Sequence, residues 1–464
     1  MDQELLKNLR AIVGAKHLST TPEDRLCYSY DGTGQEFLPD AVIFPGSTEE
    51  VSRIMALANQ VGLPVVPRGA GSGMTGGSLA VQGGLILAMS RFNKIIEIDR
   101  ENQIGVVEPG VITGEFQDRV QAEGLFYPPD PASRQFCSIG GNVAECAGGP
   151  RAVKYGVTRD YVLGLEAVLP SGAVVKTGVR TAKGVAGYDL TRLLVGSEGT
   201  LAVITRITLK LLALPTATTT FQLIFDDLHQ AVTLVSRLLN RMTPATLEYL
   251  DHTVLNLVKS DLPGPLPAGA TAMLIIELDG DPESVALQSR NLKSFVQGHE
   301  GLSAIHEAAT PAEAETLWAA RRAISPATFR LKPHKISEDV VVPRNRIPQL
   351  VATTEALADR FGLTILTFGH AGDGNIHVNI MLDRNDPVEQ GKAHEARGLL
   401  FEAVIALGGT ITGEHGVGIT KADFLDNEID RSTMALMRAI KHTFDPNNIL
   451  NPGKIFPVGD RSVR

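Results

Sequence analysis

The sequence predicts an α+β protein with more than one domain. Three observations predict it: the chain has 464 residues, segments with strand and helix periodicity occur along its whole length, and its glycine clusters are concentrated in the first half. A chain of this length can bury two or three separate cores. The composition changes at Pro215-Thr216-Ala217, after which glycine is sparse. We therefore expect a domain boundary near residue 213.

The first domain is predicted to begin with a helix over residues 2–15. Ser47 or Thr48 caps a second helix that carries acidic residues in its first turn and ends at Gly62. The other predicted elements of this domain are strands over 64–67, 85–99 and 201–212, a helix near 112–123, and a hairpin at Ser171-Gly172. In the second domain, strands over 219–225 and 272–277 alternate with helices over 228–242 and 283–297, which predicts a sheet covered by helices.

Composition and charge exclude several classes of function. The net charge is −9 with both signs interspersed, so no basic surface for nucleic acid is predicted. The first residues, Met1-Asp2-Gln3-Glu4, are acidic where a signal peptide is basic, and no apolar run is long enough to span a membrane. We expect a cytoplasmic protein, or one attached to a membrane complex through a partner.

The three cysteines are Cys27, Cys137 and Cys146, an odd number without Cys-x-x-Cys spacing. This pattern argues against a disulfide framework, a structural zinc site and an iron-sulfur cluster. If the protein handles electrons, it needs a bound organic cofactor and must pass the electrons to something else.

A candidate metal site lies in the segment 370–379. Residues 363–368 alternate as a strand does, Gly-Asp-Gly-Asn forms a tight turn, and a second strand follows, so a hairpin is predicted. His370 leaves the first strand, and His377 and Asn379 share one face of the second. A solvated or backbone-bonded side chain is the ordinary alternative for either histidine alone.

Glu414 and His415 strengthen the metal hypothesis. They lie in Gly413-Glu414-His415-Gly416-Val417-Gly418, a backbone so rich in glycine that it must turn sharply or approach something closely. Two imidazoles and one carboxylate form a common three-ligand set for a divalent metal. Zinc, manganese and iron all fit such a set.

The segment 71–76 matches Gly-x-Gly-x-x-Gly, but its context does not fit a Rossmann fold. No helix can open at this loop, because Gly76-Gly77 and Gly83-Gly84 bracket a short, flexible stretch. The exposed backbone N–H groups instead form a nest suited to a diphosphate, although structural turns could explain one such loop. A second cluster over 138–149 favours a nucleotide cofactor.

The glycine loops, Gly196-Ser197-Glu198-Gly199 and the segment 445–454, which ends Asn451-Pro452-Gly453-Lys454, together resemble the vanillyl-alcohol-oxidase type of FAD-dependent oxidoreductase. The resemblance covers essentially the whole chain. It implies an α+β fold with an FAD-binding domain of two subdomains over 1–213, an α+β substrate (cap) domain over 214–410, and a C-terminal segment, 411–464, that returns to the FAD domain.

Within this superfamily, 370–377, Glu414-His415 and the Asn-Pro-Gly-Lys motif resemble the D-2-hydroxyacid dehydrogenases: the flavin subunit of glycolate oxidase, FAD-linked D-lactate dehydrogenase and D-2-hydroxyglutarate dehydrogenase. The first loop lacks the histidine that some relatives bond to the flavin, so noncovalent FAD is expected. The residues implied to hold FAD are Pro67, Arg68, Gly69, Ala70, Gly71, Ser72, Gly73, Gly76, Ser138, Gly140, Gly141, Asn142, Gly148, Glu198, Gly199, Ile204, Asn451 and Lys454.

The resemblance also implies roles in oxidising a small anionic 2-hydroxy acid. His370, His377 and Glu414 would bind the metal, His415 would be the general base, and Asn379 would reach the substrate. Arg321 or its neighbour Arg322, which point about 100° apart on a helix, would hold the substrate carboxylate, and Lys335 is a second candidate. The segment after Lys335 departs from the Lys-Tyr-Asp pattern of hydroxyglutarate enzymes, which favours D-lactate or glycolate.

The same resemblance implies redox partners and leaves alternative functions open. The expected electron acceptor is an electron-transfer flavoprotein, an iron-sulfur subunit or a quinone, and a homodimer is one assembly that the sequence allows. A D-2-hydroxyglutarate dehydrogenase remains an alternative. A non-redox flavoprotein similar to alkylglycerone-phosphate synthase is another, against which the final residues Arg461-Ser462-Val463-Arg464 argue because they differ from a peroxisomal Ser-Lys-Leu signal.

Overall fold

A computed structural model of the protein describes residues 1–457, and the final segment Arg461-Ser462-Val463-Arg464 lies outside them. The chain divides into two compact units. Of the described residues, the first unit contains 1–147, 157–214 and 414–457, and the second contains 148–156 and 215–413. Residues 148–156 therefore group with the second unit, which the composition of the chain did not indicate.

The helices are distributed over both units. In chain order they are α1 (Gln3–Val13), α2 (Pro22–Cys27), α3 (Thr48–Val61), α4 (Thr113–Ala122), α5 (Ile139–Glu145), α6 (Ala152–Tyr155), α7 (Leu190–Leu194), α8 (Leu228–Leu239), α9 (His252–Val258), α10 (Pro282–Val296), α11 (Pro311–Ala327), α12 (Ile347–Phe361), α13 (Pro387–Ala406) and α14 (Arg431–Phe444). Within the described residues, no helix combines the length and hydropathy that crossing a membrane requires.

The strands of the first unit form two larger sheets and one short pair. These strands are β1 (Leu18–Ser19), β2 (Ala41–Ile43), β3 (Val65–Arg68), β4 (Leu85–Ala88), β5 (Ile95–Asp99), β6 (Ile104–Val107), β7 (Leu125–Phe126), β8 (Val162–Val168), β9 (Val174–Gly178), β10 (Val203–Lys210) and β11 (Leu212–Ala213). One sheet has the order β1-β2-β4-β3 and the other β5-β6-β10-β8-β9, with β11 paired to β7. The two sheets correspond to the two subdomains that the sequence analysis expected.

Local sequence signals explain the helix ends in the first unit. The Ser47 side chain accepts a hydrogen bond from the Glu50 amide at 3.2 Å and caps α3. Gly62 ends the helix in the left-handed conformation, at φ 66°, which costs glycine little. Both ends match the predicted signals. Val51, Ile54, Met55 and Ala58 form the buried face of α3.

The predicted strand over 85–99 is two strands, β4 and β5, separated by a turn at Met89–Arg91. The physical reason is that β4 belongs to the parallel part of one sheet, whereas β5 belongs to the antiparallel sheet. Met89 and Phe92 are buried at this turn, so apolar residues continue through it and mask the break in the sequence pattern.

The C-terminal segment returns to the first unit, as expected. The Val65 amide donates to the Ile449 carbonyl at 2.8 Å, and the Asn451 amide donates to the Val65 carbonyl at 2.8 Å. The segment thereby extends the sheet beside β3. The buried Asp445 carboxylate accepts the amides of Ile449 and Leu450 at 3.1 and 2.8 Å, which shapes the turn that precedes Asn451.

The second unit contains one antiparallel sheet. Its strands are β12 (Ala217–Phe225), β13 (Thr246–Asp251), β14 (Ala272–Gly280), β15 (Leu302–Glu307), β16 (His334–Val341), β17 (Thr364–His370) and β18 (Asn375–Leu382). They lie in the order β15-β12-β14-β13-β17-β18-β16. Leu250, Ile275 and Phe368 from one face of the sheet share a core with α9 and α11. This covered face also carries the polar side chains considered next.

Candidate active site

The hairpin of β17 and β18 brings His370 and His377 together. The register pairs Phe368 with His377 and His370 with Asn375. Side-chain direction repeats every two residues, so both histidines lie on one face of the sheet. Their ring centroids are 5.1 Å apart, and the residues are only 5% and 8% exposed. Burial distinguishes this pair from the solvated histidines that were the ordinary alternative.

Glu414 completes a candidate three-ligand group. It follows Gly413, whose amide is 2.9 Å from both the carbonyl and Oδ2 of the buried Asp339. One potential ligand atom from each of His370, His377 and Glu414 lies within 4.8 Å of the others. Atoms bound about 2.1 Å from one ion are up to about 4.2 Å apart. Because small side-chain movements would close this difference, the residues fit a divalent metal.

Glu248 is a functional candidate that the sequence analysis missed. It lies in β13, is 0% exposed, and its Oε1 is 2.6 Å from Nδ1 of His370. Its Oε2 accepts from Nε of Arg321, also at 2.6 Å. Burial alone would raise the pKa of Glu248, but the charges and hydrogen bonds of Arg321 and His370 outweigh it and lower the pKa to about 2. The missed signal was an acidic residue inside the apolar run Leu247–Leu250.

The structure separates Arg321 from Arg322. Both lie on α11, where Leu317, Ala320, Arg321 and Ile324 form the buried face. The Arg321 guanidinium carbon lies 4.9 Å from the centre of the Phe368 ring. Arg322 instead pairs with Glu315 and its side chain is 39% exposed. Of the two candidates, Arg321 is therefore the one on the face that carries the histidines.

Asn379 lies on β18, on the same face as His377. It is 1% exposed, and among the described residues neither its amide oxygen nor its amide nitrogen has a hydrogen-bond partner. Leaving a buried polar group unpaired costs about 1–3 kcal/mol. An unpaired buried amide on the sheet face that carries the two histidines indicates a place for a ligand.

Lys335 lies on β16 and pairs with Met381, so it shares the face of Asn379 and His377 but is farther along the sheet. Its Nζ donates to the Ser325 hydroxyl at 2.8 Å and to the Ser325 carbonyl at 3.2 Å. Burial lowers the pKa of Lys335 to about 8. Ser325 is one helical turn beyond Arg321 on α11, so the Lys335 ammonium contacts this helix one turn away from Arg321.

His415 follows Glu414 and belongs to the first unit. The Thr75 hydroxyl, in the first glycine loop, donates to the His415 carbonyl at 3.1 Å. The amides of Val417 and Gly418, two and three residues further on, donate to the buried Glu198 carboxylate at 2.8 and 2.7 Å. The Glu-His segment is thus attached to two of the segments that are implied to hold FAD.

The first glycine loop provides a backbone cradle without a helix. Gly76 has φ +82°, and a Cβ there would lie 2.5 Å from the Ile419 side chain. A side chain at Gly76 would therefore be strained by both conformation and contact. At Gly73, by contrast, a Cβ would meet no protein atom within 4 Å, so the loop leaves open space at this residue.

The second glycine cluster is a short helix, which differs from the predicted nest. Ser138 caps α5 by accepting the Gly141 amide at 3.2 Å. A Cβ at Gly140 would lie 2.8 Å from the Pro109 carbonyl oxygen. Close packing on Pro109, rather than a free loop, explains this glycine. The Asn142 amide nitrogen donates to the Thr113 hydroxyl at 2.8 Å.

Buried polar groups line the same unit. Asn451 is 1% exposed, donates to the carbonyls of Gly77 and Glu198, both at 2.8 Å, and its Oδ1 has no partner among the described residues. Lys454 Nζ donates to the Leu79 carbonyl at 2.7 Å, and burial lowers its pKa to about 8. Burial also raises the pKa of Glu198. An orphaned amide oxygen and a buried cation fit an anionic, hydrogen-bonding cofactor such as FAD.

The structure distributes the other predicted FAD residues between the units. Pro67 and Arg68 end β3, and Arg68 donates to the Tyr30 carbonyl at 2.7 Å, which ties the loop 69–76 to the chain before β2. A Cβ at Gly199 would lie 3.5 Å from the Pro67 ring, and Ile204 pairs with Ala167 in the antiparallel sheet. Gly148 belongs to the second unit.

Comparisons with known proteins identify the family. Residues 39–178 match the family described as FAD binding domain, and residues 214–455 match the family described as FAD linked oxidases, C-terminal domain. The chain is 43% identical to glycolate oxidase subunit GlcD of Bacillus subtilis (strain 168), over 98% of this chain and 97% of that one. It is 35% identical to D-lactate dehydrogenase of Anaerostipes hadrus, over 90% and 89%.

A solved structure of p-cresol methylhydroxylase with substrate bound shares the fold, with a TM-score of 0.81 at 20% identity over 97% of this chain and 96% of that one. The fold and the matched domains define an FAD-dependent oxidoreductase of the vanillyl-alcohol-oxidase type. The chain belongs to the family of FAD-linked oxidases. The predicted fold class and enzyme class are confirmed, and the matched FAD binding domain supports FAD as the cofactor, whereas the divalent metal stays a prediction.

Proposed function

We propose that the protein oxidises a short D-2-hydroxy acid, D-lactate or glycolate, to the corresponding 2-oxo acid, using noncovalent FAD and one divalent metal. The observation that carries the proposal is the convergence of His370, His377 and Glu414 in a chain of the FAD-linked oxidase family. The names of the relatives, glycolate oxidase and D-lactate dehydrogenase, support the substrate class.

When bound, FAD accepts hydride from the hydroxyl-bearing carbon, and the metal acts as a Lewis acid on the hydroxyl group. The residues of the chain perform the remaining tasks. His370, His377 and Glu414 would hold the metal, and His415, beside Glu414 in the sequence, would accept the hydroxyl proton, since an imidazole accepts protons at neutral pH. Neighbouring residues would thus have separate roles.

The substrate carboxylate would be held by Arg321. A guanidinium can donate two parallel hydrogen bonds to a carboxylate. The Arg321 guanidinium lies on the buried face of α11, and its central carbon is 4.9 Å from the Phe368 ring centre. Asn379 would supply an amide to the substrate, which would satisfy its unpaired atoms. Lys335 would add positive charge farther along the same face.

Electrons would leave to a separate acceptor. The described cysteines are Cys27, Cys137 and Cys146, all free, and they do not form an iron-sulfur motif. An electron-transfer flavoprotein, an iron-sulfur subunit or a quinone would therefore reoxidise the flavin.

An anaerobic substrate panel, followed by flavin absorbance, tests the proposal. We expect D-lactate or glycolate to bleach the flavin, L-lactate to do so far less than D-lactate, and treatment with a chelator to stop the reaction until zinc, manganese or iron is restored. Bleaching by D-2-hydroxyglutarate alone would select the alternative dehydrogenase. If no 2-hydroxy acid reduces the flavin, the redox proposal is wrong and a non-redox flavoprotein becomes the better explanation.

Two further variants test the assigned residues. His415→Ala should retain FAD but nearly lose flavin reduction, and unchanged reduction would contradict its role as the base. Arg321→Met should raise KM for the substrate strongly, whereas Arg322→Met, on the exposed side of the same helix, should change it less than about twofold. Equal effects of the two arginine variants would contradict the assignment of Arg321.

A further inference from the structure

We propose that Glu248 is a positioning residue that holds a metal-binding histidine and the substrate-binding arginine in one fixed arrangement. The inference rests on the proposed function, because the metal role of His370 and the substrate role of Arg321 belong to it. Glu248 itself is not expected to contact the metal or the substrate.

The two oxygens of Glu248 have different partners. Oε1 is 2.6 Å from Nδ1 of His370, and Oε2 is 2.6 Å from both Nε and Nη2 of Arg321. The carboxylate is 0% exposed, so water does not compete for it. One rigid group thus fixes the separation between the imidazole and the guanidinium.

The strand register places Glu248 at this position. β13 and β17 are antiparallel, with Leu250 paired to Phe368 and Tyr249 paired to Gly369. The same register brings Glu248 opposite His370, and paired residues point to the same face. The contact therefore follows from backbone pairing and does not depend on a mobile loop.

For His370, the consequence is a defined ring nitrogen. A carboxylate beside Nδ1 stabilises the tautomer in which Nδ1 carries the proton, so Nε2 is the nitrogen that would bind a metal. Such carboxylate partners also orient the ring, and losing them typically weakens metal affinity 10–100-fold.

For Arg321, the consequence is a defined free edge. Glu248 occupies Nε and Nη2, and the Phe368 ring lies 4.9 Å from the guanidinium carbon. Among the described residues, Nη1 has no hydrogen-bond partner, and together with the second N–H of Nη2 it forms the edge that can donate two hydrogen bonds to an incoming carboxylate. Pairing with Glu248 also keeps a buried cation from being uncompensated, which would be strongly destabilising.

The test uses FAD-loaded protein with Mn²⁺ as the metal probe, free Mn²⁺ being measured by electron paramagnetic resonance, and D-lactate and glycolate as substrates. Glu248→Gln should weaken Mn²⁺ binding 10–100-fold and raise KM more than it lowers kcat at saturating metal. Glu248→Asp, which keeps the charge but is shorter, should recover only part of either property.

Asp251→Asn is the matched control. Asp251 is a buried carboxylate of the same strand, but it accepts the amides of Val254 and Thr367 at 2.9 and 2.5 Å. Its variant should lower thermal stability while Mn²⁺ affinity and KM stay within about twofold of wild type. If it weakens Mn²⁺ binding as much as Glu248→Gln does, the effect is general destabilisation and the proposal is overturned.

A pair of variants covers the case in which Glu248→Gln does not fold because Arg321 is left unpaired. The double variant Glu248→Gln/Arg321→Met removes both charges and is compared with Arg321→Met alone. Weaker Mn²⁺ binding in the double variant supports the histidine part of the proposal, and equal binding overturns it.

The outcomes for wild type separate this inference from the proposed function. If wild-type protein binds Mn²⁺ and its flavin is reduced, but Glu248→Gln matches it in Mn²⁺ affinity and KM, only the role of Glu248 is wrong. If wild-type protein binds no divalent metal, the metal part of the proposed function fails, and the role of Glu248 fails with it.

Discussion

The two units of this protein contribute different chemical groups to the candidate binding sites, mainly backbone in the first unit and side chains in the second. In the first unit, the candidate FAD cradle is formed mainly by backbone, with glycines where a Cβ would collide, as at Gly76 and Gly140. The residues that the second unit contributes to the candidate metal and substrate site are side chains on one sheet face, among them His370, His377 and Asn379. A site formed by backbone is expected to lose ligand affinity when a glycine gains a side chain. A site formed by side chains is expected to lose affinity when a side chain is shortened.

The largest expected effect comes from removing a metal ligand. His377→Ala should lower the rate of flavin reduction about 10³-fold or more, because Lewis-acid stabilisation contributes several kcal/mol. Metal content should fall, while FAD content and the flavin spectrum should be unchanged, as measured by metal analysis and absorbance on the same sample. Loss of FAD from this variant would contradict the assignment of His377 to metal binding alone.

A smaller effect is expected at Asn379. Asn379→Leu should raise KM for D-lactate about tenfold, the value of roughly one buried hydrogen bond. The melting temperature should stay the same or rise, because the variant removes a buried amide that has no partner in the protein. A lower melting temperature with unchanged KM would mean that Asn379 has a structural role instead.

Adding a single methyl group to the first glycine loop tests the candidate FAD cradle of the first unit. At Gly73, φ is not in the left-handed range and a Cβ meets no protein atom, so Gly73→Ala should leave the melting temperature of the FAD-free protein nearly unchanged. If the cofactor approaches this loop closely, FAD affinity should fall several-fold, as measured by isothermal titration.

Gly391→Ala is the matched control for Gly73→Ala. Gly391 lies within α13, also meets no atom within 4 Å, and is remote in sequence from the FAD segments. Alanine there should stabilise the helix by about 0.5–1 kcal/mol and leave FAD affinity unchanged. Similar FAD affinities for both variants would show that the open space at Gly73 is not used by the cofactor.

The smallest expected effect concerns Lys335 and pH. Burial lowers the pKa of Lys335 to about 8, so the amine is charged below that pH and becomes neutral as pH rises through it. KM for an anionic substrate should therefore rise a few-fold between pH 7 and 9. Lys335→Gln should have a higher KM at pH 7 and lose this pH dependence. A wild-type KM that stays flat over the range would contradict a role for Lys335 in substrate binding.

Predictability from sequence also differs between the two sites. The hairpin of 364–382 and the positions of His370 and His377 were predictable, because alternation and turn chemistry act over a few residues. Glu248 was not, since its partners His370 and Arg321 are 122 and 73 residues away in the chain. The only local signal was a charged residue, Glu248, inside an apolar strand, and such a signal does not indicate which residues it contacts.

The same distinction applies to Arg321 and Arg322. Their order in the sequence cannot show which one is buried, because the neighbouring apolar residues of α11 allow more than one face to be covered. Packing of Leu317, Ala320 and Ile324 against the sheet selects Arg321. The second glycine cluster is a similar case: α5 forms because Ser138 caps it and Gly140 fits against Pro109.

The sequence by itself determined the α+β class, the approximate ends of the helices it predicted, the hairpin with its two histidines and, through resemblance, the FAD-linked family. These properties depend on periodicity, capping and turn residues, which act between near neighbours in the chain. Only the tertiary structure decided which arginine is buried, that Asn379 has an unpaired amide, and that Glu248 joins Arg321 to His370. Those facts depend on strand register and on helix packing over long sequence separations, for which a single sequence carries no local signal.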